Sequence, residues 1–217
     1  MLWNGNLAYL FMPRTATRTL NSYFADVWHG PLFGTASPAQ LREIKKNRPT
    51  MNFVQPGRGH ENMQKFVEYL YRYGRSINHF EKIIFVVRNP YDLVRSNYLF
   101  LKDQYSLPNR STNSILAGEN SYDDFCRKIA HPDPGNWIKA SGKVPENLHI
   151  IRFETLADDI RSIDVHFKKK NIPMLRLNER NKDNDKAYVL TDATEKLIYE
   201  KYQAMFDFGN YKRYSGV

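Results

Sequence analysis

Apolar residues occur along this chain in short runs, and each main run is followed by a stretch in which they return every third or fourth position. Leu7 to Phe11 and Ile83 to Val87 are apolar runs of strand length, Leu148 to Phe153 reads as another strand, and Met51 to Val54 is a shorter candidate. Short apolar runs bounded by turn residues suit buried strands. Between them lie helical patterns. Thr17 to Val27 carries Leu20 and Phe24 on one face, and Ser37-Pro38 starts a helix that runs to about Asn47, with Ser as N-cap and Pro at the first helical position. Glu61 to Tyr73 places Met63, Phe66, Val67, Leu70 and Tyr71 at helical spacing, and a helix is predicted from Pro90 to about Leu101. Ser121 caps a short helix through Ala130, and Thr155 to about Lys169 has Ile160, Ile163 and Phe167 on one face. Asp192-Ala-Thr-Glu195 reads as a capping box for the last helix. Trp28 to Gly34, Gln55 to His60, Gln104 to Asn120 and Asn178 to Lys186 read as loops because Gly, Pro, Asn and charged residues dominate them.

Strands alternating with helices predict an α/β protein whose sheet is mostly parallel with helices on both faces, and whose ligand sits beyond the carboxyl ends of the strands. A chain of 217 residues, 41% hydrophobic, is large enough for one substantial core and short for two ordinary domains, so residues 1–217 are expected to form a single domain.

Two strand-to-helix turns concentrate the chemistry. After Leu7 to Phe11, Pro13 breaks the run and Pro13-Arg-Thr-Ala-Thr-Arg-Thr19 supplies two arginines and three threonines before the apolar face restarts at Leu20. Backbone N–H groups at such a helix start attract anions, and Arg14 and the hydroxyls add donors. After Ile83 to Val87, Arg88 closes the strand, Pro90 suits a first helical turn and Ser96 follows two turns later. Eight residues separate Arg88 from Ser96, so the two can converge on one phosphate. Taken alone, the first segment reads more readily as a basic helix start on a surface; the alternative for the second is a surface ion pair with a helix-surface serine, which its spacing disfavours, and the partner motif is what turns the first toward a nucleotide with phosphate at both ends. Asp92 and Arg95 are expected to stabilise their helix.

Pro13-Arg-Thr-Ala-Thr-Arg-Thr19 resembles the 5′-phosphosulfate loop of the sulfotransferases, and Arg88-Asn-Pro-Tyr-Asp-Leu-Val-Arg-Ser96 resembles their 3′-phosphate motif. His149-Ile-Ile-Arg-Phe-Glu-Thr-Leu156 is similar to the strand near the adenine, and Leu197 to Gly209 looks like the family's closing helix. The resemblance implies a P-loop-like sulfotransferase fold and 3′-phosphoadenosine 5′-phosphosulfate (PAPS) as donor, with no metal. It implies a 5′ cradle of Arg14, Thr15, Ala16, Thr17, Arg18 and Thr19, with Arg14 standing where the family usually has lysine and acting on the bridging oxygen. Arg88 and Ser96 fall at the 3′-phosphate positions and Phe153 at that of an aromatic beside the adenine. Arg180 and Lys182 lie where the family places a basic loop over the 3′-phosphate, although Glu179-Arg-Asn-Lys-Asp183 departs from the usual pattern.

The acceptor hydroxyl needs a base. His60 follows Gly57-Arg-Gly59, where carbohydrate-sulfating relatives place Gly-His ahead of a helix, and Glu61 is the alternative because other members use glutamate. Together with Pro-Arg-Thr-Ala this leans toward a carbohydrate-like acceptor. Phe153 reads equally as a core aromatic at a strand end, and His60 equally as a loop histidine.

Charge adds little to this choice. A net charge of +9 favours anionic partners without separating a nucleotide from an acidic glycan, nucleic acid or a membrane surface. Basic residues are evenly dispersed with no aromatic-basic RNA motif, which argues against nucleic acid. Cys126 is the only cysteine, so there is no intramolecular disulfide and no cysteine cluster for zinc. No apolar stretch approaches the ~20 residues of a membrane span. A cytoplasmic enzyme is expected unless a Golgi-type anchor has been removed. The Gly-x-x-x-x-Gly-Lys-Ser/Thr signature of nucleotide kinases and NTPases is absent. The competing reading is a catalytically inactive module that binds PAPS, its product adenosine 3′,5′-bisphosphate (PAP), or polyanions in general.

Overall fold

In the computed structural model of the chain, β5 (Lys82–Val87) pairs in parallel with β2 (Leu7–Leu10) on one side and β6 (Leu148–Arg152) on the other. The structure describes residues 1–27, 31–47, 52–56, 60–161, 163, 188 and 190–214. The remaining strands are β1 (Leu2–Trp3), β3 (Leu32–Ala36) and β4 (Asn52–Pro56), giving one six-stranded sheet in the order β4-β3-β1-β2-β5-β6. β1 is antiparallel to both neighbours, β2 and β3. The other five strands therefore run in one direction, and their carboxyl ends share one edge of the sheet. The architecture is α/β and mostly parallel, as the alternation of strand and helix patterns predicts.

Contacts along the chain group it into two compact units, Met1–Val87 with Asn136–Glu179, and Arg88–Gly135 with Arg180–Val217. The first contains the sheet. Side chains of a strand alternate between its faces, so Leu2, Leu7, Tyr9, Ile84, Val86 and Ile151 point one way, into a buried cluster with Leu20 and Phe24 of α1 (Thr17–Val27). Ile44 of α2 (Pro38–Asn47) belongs to the same cluster, as do Leu156 and Ile160 of α8 (Leu156–Arg161). On the opposite face Trp3 packs against Phe66 of α3 (Met63–Tyr71), with ring centroids 5.8 Å apart. Trp3, Phe33 and Phe53 are register partners on β1, β3 and β4 and stack in a row, at 5.7 and 5.1 Å. Helices thus cover both faces, which is why Leu7–Leu10 and Ile83–Val87 of the central strands are buried at every position.

Two of these strands depart from the sequence reading. Leu2–Trp3 was expected only as a lead-in, but Asn4-Gly5-Asn6 turns it back onto β2: the Asn4 side chain accepts from the N–H groups of Asn6 and Leu7 at 3.1 and 2.9 Å. Leu32–Ala36 falls partly within the segment expected as a loop. Gly34 makes that strand possible, because its φ of 140° and the approach of β1 leave no room for a side chain; a Cβ there would lie 2.2 Å from the Met1 carbonyl oxygen.

The second unit is helical in its described residues. It contains α4 (Pro90–Gln104), α5 (Thr112–Glu119), α6 (Tyr122–Lys128), α9 (Asp192–Lys201) and α10 (Gln203–Gly209). Tyr98 of α4 packs on Tyr122 and Phe125 of α6 at 5.2 and 5.0 Å. α5 lies in what was expected as a loop, where Ser111 caps it by accepting from Ser114 N–H at 3.1 Å. Ser121 caps α6 as expected, with Asp124 N–H 3.1 Å away. The cap of α9 is Thr191, not Asp192: its hydroxyl accepts from Thr194 N–H, which leaves the Glu195 side chain for other contacts. The closing helix is interrupted at Tyr202, where φ is −116° and ψ 19°. α7 (Pro134–Trp137) is a single turn. Among the described residues, no helix is long and apolar enough to cross a membrane.

Candidate functional site

The chain leaves β2 through α1 toward β3 on one side of the sheet, and leaves β5 to reach β6 on the other. Where successive connections diverge in this way, the carboxyl ends of the two neighbouring strands are the usual place for ligands in open α/β sheets. β2 and β5 are those neighbours, with Leu10 opposite Phe85. The two turns singled out by composition begin here: Phe11 to Ala16 continues from β2, and Arg88 follows Val87 at the end of β5.

The first turn has an unusual backbone. Arg14 and Ala16 are left-handed, with φ of 67° and 58°, while Thr15 between them is not. A φ that alternates in sign turns successive N–H groups into one concavity, an arrangement that binds anions. Residues with a Cβ pay roughly 1–2 kcal/mol each for the left-handed region, so the surroundings must hold the shape. They do so through Met12, whose carbonyl oxygen accepts hydrogen bonds from the Thr15 hydroxyl at 2.7 Å and the Thr17 hydroxyl at 3.0 Å. Both threonines are buried. Their hydroxyl protons, expected at a ligand, are used inside the loop, and what the turn presents is its main chain. The first helical bond of α1 runs from Leu20 N–H to Ala16 O at 2.9 Å, so the turn ahead of it carries the donors a helix leaves without an intrahelical acceptor. Arg14 is half-buried, Arg18 exposed and Thr19 buried.

His60 and Glu61 lie between β4 and α3, in the same unit as the Arg14 turn. The backbone of Phe11, at the start of that turn, interacts with the His60 ring. Burial holds the imidazole below its ordinary value, the Met1 amino group pushes in the same direction, and Glu61 and the Phe11 backbone oppose them. His60 Nδ1 is buried and has no hydrogen-bond partner among the described residues. At neutral pH the ring is therefore uncharged and able to take a proton. The Glu61 carboxylate lies 3.5 Å from the Met1 amino group.

Arg88 is half-buried at the corner between β5 and α4. Asn89 caps the helix: its side-chain oxygen accepts from Tyr91 N–H at 3.0 Å and its carbonyl from Leu93 N–H at 2.8 Å, with Pro90 at the first helical position. Ser96 is half-buried two turns along α4. Arg95 pairs with Asp92 one turn before it, at 2.9 Å. Phe153, the residue after β6, donates its N–H to the Val87 carbonyl at 2.8 Å, and its ring packs against the buried cluster that also receives Ala16. Arg180 and Lys182 lie outside the described residues.

The staple provided by the Met12 carbonyl had no signature in sequence, since any residue supplies a carbonyl. The left-handed turn was equally hidden, because glycine, its usual marker, is absent from Pro13 to Thr19.

No protein-family model matches the chain, and no curated protein matches it. Among solved structures, the crystal structure of mouse sulfotransferase SULT7A1 complexed with PAP is similar, with 16% identity and a TM-score of 0.40, covering 94% of this chain and 66% of that one.

Proposed function

We propose that this chain is a sulfotransferase that moves a sulfuryl group from PAPS to a hydroxyl or amine acceptor, carbohydrate-like in class, by in-line transfer. The observation that carries the reading is the origin of both basic turns at the carboxyl ends of adjacent parallel strands, where the sheet's connections diverge. The residues suit the donor. A main-chain concavity with alternating φ at Arg14–Ala16 matches a terminal oxyanion group, and Arg88 at the end of β5 supplies a cation for a second one.

PAPS, when bound, supplies an activated sulfuryl group whose leaving oxygen gains negative charge as the bond breaks. In this reading the Arg14 guanidinium balances that charge, while the backbone of Thr15, Ala16, Thr17, Arg18 and Thr19 holds the 5′ end. Fixed cations suffice here because a sulfate ester carries less charge than a phosphate ester. Arg88 and Ser96 bind the 3′-phosphate, with Arg180 and Lys182 as further cations, and Phe153 borders the adenine. His60 takes the acceptor proton at a ring nitrogen, and Glu61 either favours the resulting imidazolium or serves as the base itself.

Calorimetric titration with PAP, followed by transfer of labelled sulfate from PAPS to a panel of glycans, lipids and phenols, tests this. Binding with transfer supports the enzyme; binding without transfer to any acceptor favours an inactive module. Absence of PAP binding refutes the enzyme and the PAP-binding module and favours a general polyanion binder.

A further inference from the structure

The corner formed by Arg88, Asn89 and Pro90 is held from behind by a cluster of a buried tyrosine, a buried carboxylate and an exposed arginine for which the transfer reaction has no direct use. Tyr91, the second residue of α4, is 3% exposed, and its hydroxyl donates to Oε1 of Glu195 in the first turn of α9. Glu195 is itself only 8% exposed. Arg213 grips the same carboxylate, with Nε 3.0 Å from Oε1 and 3.1 Å from Oε2, and Nη2 2.8 Å from Oε2. Two ring contacts accompany the grip: the guanidinium lies 4.9 Å from the Tyr199 ring centre, and the Tyr214 ring 4.7 Å from that of Tyr91. Arg213, ahead of the opposing effect of burial, holds the Glu195 carboxyl below its ordinary range, and burial followed by the bond to Glu195 pushes the Tyr91 hydroxyl up.

Apolar side chains would join α4 to α9 without the cost of drawing a carboxylate out of water. What a directional clasp adds is a fixed position. Tyr91 N–H is bound by the Asn89 side chain, so a shift of Tyr91 passes directly to Asn89 and from there to Arg88. We infer that Tyr91, Glu195 and Arg213 are positioning residues that fix the Arg88-Asn89-Pro90 corner for a 3′-phosphate, which makes the segment after α10 part of donor recognition. The inference rests on the assignment of Arg88 to that phosphate.

The test compares the affinities of adenosine 3′,5′-bisphosphate and adenosine 5′-phosphate for the wild-type protein, Tyr91→Phe and Glu195→Gln. Tyr91→Phe removes one hydrogen bond to a charged acceptor and keeps the ring, so bisphosphate affinity should fall about tenfold while adenosine 5′-phosphate affinity is retained. Glu195→Gln should act in the same direction. A purely structural contact would weaken both ligands alike; equal losses, or none, overturn the clasp. A wild-type protein that does not favour the bisphosphate overturns the Arg88 assignment first, and the clasp with it. Hydrogen exchange on the ligand-free protein gives a second reading: the amides of Tyr91 to Val94 should exchange faster in Tyr91→Phe, and unchanged rates overturn the inference.

Discussion

If the Arg14–Ala16 backbone is what receives the 5′ end of the donor, a pair of substitutions at Ala16 should separate backbone shape from side-chain chemistry. Ala16 has a φ of 58°, and its methyl group contributes nothing polar. Ala16→Gly releases roughly 1–2 kcal/mol of left-handed strain. Against this stand about 0.5–1 kcal/mol of added chain entropy in the unfolded state and about 0.4 kcal/mol for half-burial of one methyl group against the core cluster. The terms nearly cancel, so the melting temperature should stay within about 5 °C of wild type. PAP affinity should be retained. Ala16→Val places a β-branched residue where the left-handed region is a true outlier, at a cost of roughly 1–3 kcal/mol. The loop then either keeps its shape at the expense of stability or flips and loses the concavity. Every 1.4 kcal/mol of the second outcome corresponds to a factor of about ten in affinity. Melting curves and calorimetric titration on both variants decide the matter: PAP binding to Ala16→Val as tight as wild type, at unchanged stability, would refute the claim that the turn's conformation forms the anion site.

The remaining predictions concern the charges, the base and the sheet. Arg14→Ala and Arg88→Ala should each abolish sulfate transfer with circular dichroism unchanged; full activity in either removes that residue from the site. His60→Asn should lower kcat by about 10²–10⁴, measured with saturating donor, and a loss below about tenfold would hand the role to Glu61. Because burial lowers the His60 pKa, the unfolded chain binds a proton near 6.5 that the folded protein refuses. Its contribution to stability is therefore undiminished above pH 6.5 and is lost as the pH falls from there through the folded-state value. Denaturant midpoints should decline across that window, whereas kcat/KM should fall only at its lower edge, where the folded protein's own imidazole takes up a proton, and His60→Asn should flatten the stability profile. Gly34→Ala should cost roughly 2–4 kcal/mol, read from urea unfolding, since its Cβ would meet the Met1 carbonyl oxygen at 2.2 Å. A variant as stable as wild type would show that β1 moves away without penalty.

The strands β2, β5 and β6 and the helices after the first two were legible because their residues obey one simple rule, burial on one or both faces at the period of the element. The capping Ser121 was legible for a related reason: the side chain bonds to a neighbour three residues away. β1 left a trace in Asn4-Gly5-Asn6, a hairpin signal between two apolar pairs, but two residues are too few to show a period. β3 and α5 were masked by Gly34 and by a polar composition that only their neighbours compensate. The chain's order of residues thus determined which segments are strand or helix and where cationic turns interrupt them, since those depend on contacts within a few positions. The tertiary structure alone decided that β2 and β5 are adjacent and parallel, that Arg14 and Ala16 adopt left-handed backbones, and that Arg213 reaches a carboxylate 18 residues away to hold Tyr91. Those features depend on long-range packing and on main-chain atoms that every residue possesses, and residue type alone does not encode them.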